Sequence, residues 1–345
     1  MAPVVSIFKE KSASFKIILT GQNDIRKSPI LDYLRVSPYS VLYEKPIKQT
    51  PLGLILWFIK TLFNGTLFLQ TQVRNSPGKS TWLIIHGDTV TTMLGAIAGK
   101  IAGLKIAHVE AGYKSGNMFH PFPEELDRTV ASSLSDVLFC PYDSIGFIPK
   151  TSKKTVNIGL NTSIDSLNLA LKFPNHLRIK RLLNGKKYFI FALHRQETLL
   201  NKALVKKTIN QLINLKSDLY CVFAQHGPTK KTLVDLGLYD KLTQNKKIIS
   251  SDRLPYFEYV YLLKEAEFIM TDGVGNQQET YYLGKPCLIL RTNTEGLEGL
   301  KNNAVLCNNS AKIFNDFASN YEKYRKKPIR ANVSPSKIIC DYLLR

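Results

Sequence analysis

Acidic residues are the scarce class in this chain of 345 residues. Asp and Glu number 27 against 47 Lys and Arg, a formal net charge of +20. Three partners fit such a balance: anionic small ligands, lipid-phosphate surfaces and nucleic acid. Nucleic acid ranks last, because no helix-turn-helix, RNP or zinc-finger pattern accompanies the charge. The basic pairs are dispersed (Lys153-Lys154, Lys206-Lys207, Lys326-Lys327), as on a solvated face. Cysteine is also sparse. Cys140, Cys221, Cys287, Cys307 and Cys340 form no C-x-x-C pair, which excludes a zinc ribbon and argues against a disulfide scaffold. The N-terminal MAPVVSIFKEKSASFK has no basic region followed by a long apolar run, so it does not resemble a secretory signal. Pro51 to Gln70 is the greasiest stretch, interrupted by Lys60, Asn64 and Gly65. Its unbroken runs fall short of the ~20 residues that span a bilayer. The expectation is a buried or amphipathic helix in a cytoplasmic protein, with a membrane-touching surface as the alternative. No repeat or low-complexity tract stands out, nor any G-x-G-x-x-G, Walker, G-x-S-x-G or H-E-x-x-H motif.

What is present is core-forming. Hydrophobic residues make up 44% and aromatics 10%, which excludes wholesale disorder, and the length suits two domains. Short apolar runs end in polar or turn residues and precede helical patterns: Phe15–Gly21, Trp82–Thr89, Leu104–Gly112, Asp136–Ser144 and Lys154–Ser163 in the first half. Lys187–Arg195, Leu219–Pro228, Lys246–Ser251, Glu267–Gly273 and Lys285–Thr292 follow in the second. Continuous apolar strands alternating with helices mean parallel sheets buried on both faces. The expected fold class is α/β, with two doubly wound Rossmann-like domains and a cleft between them. The expected division is 1–160 and 161–333, with 334–345 packing back on the first domain.

Ligands of open α/β sheets lie at the carboxyl ends of strands. His86, Asp88, Glu110, His194, Arg195, His226 and Asp272 follow apolar runs and are therefore the candidates. Asp88 reads either as a helix N-cap or as a carboxylate held toward a ligand. Glu110 ends a buried run and must be paired, hydrogen-bonded or functional. Glu124 and Arg128 lie four apart on one helix face, either pairing with each other or dividing proton transfer and phosphate binding. Carboxylates brought close together separate in pKa, so one can serve as base while another stays protonated. His194-Arg195 could contribute a cation and a donor for a leaving phosphate. In Thr271 to Glu279, TDGVGNQQE, a strand meets a glycine loop and a helix, a setting in which backbone N–H groups bind phosphate.

The stretches TGQN (20–23), HGDTVTT (86–92), HVEAG (108–112), HPFPEELDR (120–128), LHRQET (193–198), QHGP (225–228), TDGVGNQQETYYLGKPCLILR (271–291) and TEGLEG (294–299) resemble the non-hydrolysing UDP-N-acetylglucosamine 2-epimerase family. The resemblance spans nearly the whole chain. It implies a glycosyltransferase-B-like fold, UDP held mainly by the second domain, a homodimer, and chemistry without nicotinamide or metal. A base removes the sugar C2 proton as UDP leaves C1; the 2-acetamidoglucal then takes UDP back with a proton on the other face. By the resemblance, Asp88, Glu110, Glu124 and His194 are catalytic. The resemblance also places Arg128 at the phosphates and Glu279 at the ribose, and the strand-end and glycine-loop residues Arg195, His226, Asp272, Gly273, Gly275 and Gln277 are expected to bind the UDP-sugar with them. The product would feed capsule, O-antigen or other surface polysaccharide. A membrane-acting glycosyltransferase and a catalytically impaired paralogue are the rival expectations.

Three departures accompany the resemblance. The family opens with a strand and a G-T-R-P-E loop before a segment that Met1 to Val4 resembles, so the expectation is a start assigned too late or a shortened relative. The family's D-S-G-G reads Asp272-Gly273-Val274-Gly275, losing a phosphate-contacting serine. Its T-E-R-P-E reads Thr294 to Glu298 without the arginine. The carboxylates are all retained. Gln22 matches a residue associated with a second, activating UDP-sugar, while Asp24 and Ile25 do not.

Overall fold

The structure is a computed structural model. It describes all residues except 23–25, 27, 46, 48–49, 77, 79, 114–122, 142–153, 174–178, 180, 182 and 295. His120, Pro121 and Phe122 of the HPFPEELDR stretch, Asn23 to Ile25, and Glu295 thus lie outside the described residues. The chain divides into two compact units, Met1–Ser166 with Asn332–Arg345, and Leu167–Ala331.

In the first unit, β1 (Ile18–Leu19) and β2 (Ser40–Val41) pair in parallel by themselves. A separate parallel sheet runs β3 (Trp82–His86), β4 (Lys105–Val109), β5 (Val137–Cys140), β6 (Lys154–Asn157), in that order. Its helices are α1 (Ala2–Glu10), α2 (Pro29–Leu34), α3 (Pro51–Arg74), α4 (Val90–Ile101), α5 (Glu124–Leu134) and the C-terminal helix Pro335–Leu343; the division falls within α6 (Ser163–Leu171). Both sheet faces are covered, as continuous apolar strands require. Val4 and Phe8 of α1 join Ile339 and Cys340 over Val109, Val137 and Phe139. Ala96 of α4 and Ala131 of α5 lie with Ile85 and Ile106. The small residues bring α4 close: a Cβ at Gly99 would meet Leu83 and Ile106.

The Pro51–Gln70 stretch lies within α3, which is 24 residues long. Pro51 is its first residue, and Thr50 caps it by accepting from the N–H of Gly53 at 3.1 Å. One face, Trp57, Thr61, Gly65 and Leu69, is buried. The other exposes Leu52, Ile55, Leu56, Ile59, Phe63 and Leu67. Over Leu52–Arg74 the helix is long and apolar enough to cross a bilayer by length and composition, yet its Trp57 indole donates to the carbonyl of Thr20 at 3.2 Å.

The second unit is one six-stranded parallel sheet. β7 (Tyr188–Ala192), β8 (Tyr220–Ala224), β9 (Ile248–Ser251), β10 (Ile269–Thr271), β11 (Cys287–Ile289) and β12 (Ala304–Leu306) are arranged β12-β11-β10-β7-β8-β9. This is the doubly wound order, with its switch point between β7 and β10. Between the strands run α7 (Gln196–Leu200), α8 (Lys202–Ile213), α9 (Gly227–Asp235), α10 (Tyr239–Thr243), α11 (Tyr256–Glu265) and α12 (Val274–Leu283); α13 (Ala311–Ser319) follows β12. Alternate strand residues enter opposite cores. Phe189, Phe191, Phe223 and Phe268 lie on one face with Phe314 and Phe317 of α13, and Ile190, Val222, Ile269 and Ile289 lie on the other with Leu262. Each buried phenylalanine contributes roughly 1.5–3 kcal/mol.

Candidate active site

In the first unit, His86 of β3 stands opposite Val109 of β4. The residues just past each strand, Gly87-Asp88 and Glu110, therefore emerge at one sheet edge. Gly87 closes the register by donating to the carbonyl of Val109 at 3.0 Å. Glu110 has a left-handed backbone, φ 61°, a conformation that costs a non-glycine residue about 1 kcal/mol or more and clusters at functional sites. The imidazole of His86 lies 3.1 Å from its Oε1, and the Thr162 hydroxyl donates to the same oxygen at 2.5 Å. Burial raises the Glu110 pKa, but the charge and hydrogen bond of His86 and the Thr162 bond reverse this, to about 2. Glu110 is therefore an ionised carboxylate at neutral pH.

Asp88 is not the cap of α4. Thr89 occupies that position, and Asp88 is ion-paired with Arg128. Arg128 in turn holds Glu125 at 2.8 Å rather than Glu124. Glu124 is thereby left outside the pair that its spacing allowed, and its Oε2 is buried with no hydrogen-bond partner among the described residues. His108, fully buried, donates from Nε2 to the carbonyl of Gly87 at 2.8 Å and accepts from Ser132 at Nδ1. Burial lowers its pKa to about 4, so it acts as a neutral brace beneath the Gly87 turn. Gln22 accepts from Thr91 at 2.6 Å on the same unit.

The second unit gathers its candidates at the switch point. His194 and Arg195 follow β7, and Asp272 and Gly273 follow β10. Asp272 is fully buried and accepts from the backbone N–H groups of His194 (3.0 and 3.2 Å) and Arg195 (2.9 Å). It holds the strand end rather than projecting outward, with His194 Nδ1 3.4 Å from its Oδ1. The His194 ring lies against Gly273, where a Cβ would meet it closely enough that the ring would have to shift. His194 stacks on His226 at 4.9 Å between ring centroids. Burial, then the charges of His194 and Arg253, lower the His226 pKa.

Gly273 is the N-cap of α12, and its N–H donates to Thr271 Oγ1 at 3.1 Å. Gly275 has open space around it, so no steric contact demands glycine. Gln277 is fully buried and committed to the 294–298 segment: its amide donates to the carbonyls of Gly296 (2.8 Å) and Glu298 (2.7 Å), and its Oε1 accepts from Thr294 (2.8 Å). Glu279 is buried, which raises its pKa to about 7 against a hydrogen bond from Tyr256. Arg195 and Arg291 both reach Glu197, at 3.3 and 2.9 Å. The pairing roles of Thr162, Glu125, Glu197 and Arg291 escape a reading by strand ends. The signal available for Arg291 was its place after the apolar run Lys285–Leu290.

Parallel sheets in both units, with carboxylates at the strand ends of one and a histidine–arginine pair at the switch point of the other, define a doubly wound α/β protein. A family model described as UDP-N-acetylglucosamine 2-epimerase matches residues 73–335, and the chain belongs to that family. It is 33% identical over 250 residues to the UDP-N-acetylglucosamine 2-epimerase of Methanococcus maripaludis, covering 70% of this chain and 68% of that protein. It is 31% identical over 326 residues to that of Salmonella borreze, covering 89% and 82%. The Methanocaldococcus jannaschii UDP-GlcNAc 2-epimerase, solved in complex with UDP-GlcNAc and UDP, superposes with a TM-score of 0.80 at 25% identity, covering 100% of this chain and 96% of that one.

Proposed function

We propose that this chain interconverts UDP-GlcNAc and UDP-ManNAc, or a closely related UDP-2-acetamido sugar, in the cytoplasm, for surface polysaccharide synthesis such as capsule or O-antigen. The observation that carries this is Glu110, an ionised carboxylate in a left-handed turn with His86 and Thr162 on one oxygen. Such a group is oriented and in the right state to take a proton. Glu110 removes the C2 proton. The C–H electrons form the C1=C2 bond of 2-acetamidoglucal, and the C1–O bond breaks toward UDP. A proton returned to the opposite face of C2 by Glu124 or Asp88, with UDP re-adding at C1, completes epimerisation. In the second unit His194, Arg195 and the N-terminus of α12 supply cation and dipole for the diphosphate, with His226 and the 272–275 turn beside them. Glu279 suits the ribose hydroxyls.

Proton NMR of UDP-GlcNAc incubated with the chain in D2O tests this. The expected result is loss of the sugar H2 signal with a manno product; an unchanged spectrum sinks the proposal and favours the transferase or impaired-paralogue alternatives.

The working form is a homodimer paired through α3. Six large apolar side chains exposed on one helix face support this, because such a patch marks an interaction surface. Sedimentation is expected to give twice the 39.0 kDa chain mass, and Phe63→Asp to return it to a monomer. A wild-type monomer that pellets with anionic vesicles at low salt would instead make α3 a lipid-facing surface.

A further inference from the structure

Glu124 and Asp127 lie three residues apart in the first turn of α5, and so share a face of it. Asp127 is 1% exposed. Among the described residues neither of its carboxylate oxygens has a hydrogen-bond partner, and Oε2 of Glu124 is likewise buried without one. A carboxylate removed from water with no donor favours its protonated form. Its surroundings reinforce this: burial first, then the charges of Glu124 and Asp88, raise the Asp127 pKa from 3.8 to about 7. Among the described residues, the positive groups of the neighbouring elements are committed elsewhere. Arg128, the next residue, is held by Asp88 and Glu125. His108 on β4 is neutral and uses both ring nitrogens, on Gly87 and Ser132. Lys105 at the start of β4 lies over the Trp82 ring. The one charged side chain of α4, Lys100, is 3.5 Å from Asp136.

We infer that Asp127 is a positioning residue that works as a neutral acid, keeping a second negative charge away from Glu124 so that Glu124 can exchange a proton with the sugar. This rests on the epimerase proposal for Glu124. When Asp127 releases its proton to solvent, it places a negative charge on the helix face it shares with Glu124.

The test compares kcat for H2 exchange against pH in the wild type, Asp127→Asn and Asp127→Leu. Asn keeps the shape and cannot ionise. Wild-type kcat is expected to fall about tenfold per pH unit above about 7, with KM little changed. Asp127→Asn is expected to lack that limb, and Asp127→Leu to lose kcat at every pH, so that the amide rescues what the apolar side chain cannot. Superimposable wild-type and Asn profiles would overturn the inference.

Melting temperature against pH is read in parallel and needs no turnover. An acid whose folded pKa is raised contributes most to stability below its unfolded value of 3.8, and that contribution is lost as pH rises through about 7. The wild-type midpoint should therefore fall relative to Asp127→Asn across this window. Equal slopes would overturn the inference. A wild type that exchanges no H2 at any pH, yet shows the differential slope, would remove the epimerase proposal and the Glu124 role while leaving the proton on Asp127 established.

Discussion

Glu110→Gln is expected to lower kcat for H2 exchange by about 10²–10⁴-fold, the range lost with a positioned general base, with KM nearly unchanged. The amide keeps the size of the side chain and one acceptor for Thr162 and His86, so the variant should stay folded by circular dichroism. It cannot take a proton from carbon. The stability effect has a defined sign. His86 and Thr162 favour the charged form and hold the pKa at about 2 rather than 4.5. The ionised group therefore contributes stability that is present above about 4.5 and lost as pH falls toward 2. A modest loss of midpoint at neutral pH that vanishes in acid accompanies the kinetic loss. Near-normal turnover by Glu110→Gln would remove this residue from the chemistry.

Arg128→Met is expected to have the largest structural effect. The guanidinium, 12% exposed, joins Asp88 to Glu125, which is 5% exposed. The replacement fills the stem's volume and takes the guanidinium away from the buried Glu125 and from Asp88. Removing one partner of a buried pair costs about 3–5 kcal/mol. The lower end applies because Asp88 is 36% exposed and regains water. For a unit of this size, about 3 kcal/mol corresponds to a fall of roughly 6–12 °C in Tm. Turnover should fall as well, because Asp88 loses the group that orients it. A Tm within a degree or two of wild type would show that Glu125 finds another donor.

The strand ends were legible because burial on both faces makes a strand a continuous apolar run, and the run stops where the chain meets water. This marks Asp88, Glu110, His194 and Asp272 without coordinates. The three-residue β12 and the two-residue β2 carry too little pattern to stand out. Pairing was less legible. Helical spacing allows Arg128 to reach residue 124 or 125 equally well. Asp88, brought alongside by the packing of α4 on α5, draws the guanidinium toward Glu125. Likewise Asp272 and Gln277, read as ligand groups, are both committed internally, one to the β7 strand end and one to the 294–298 segment. A polar residue in a motif does not announce whether it faces a ligand or the backbone.

By itself, the order of apolar runs, polar strand ends and helical segments determined the α/β class and which polar residues end the strands, because both follow from local periodicity and composition. Tertiary structure alone decided which carboxylate is ionised, which is braced and which is left unpartnered. Glu110, Glu124 and Asp127 are chemically near-identical along the chain. They differ in the water and donors that packing leaves each of them, and for Glu110 and Asp127 this moves the pKa in opposite directions.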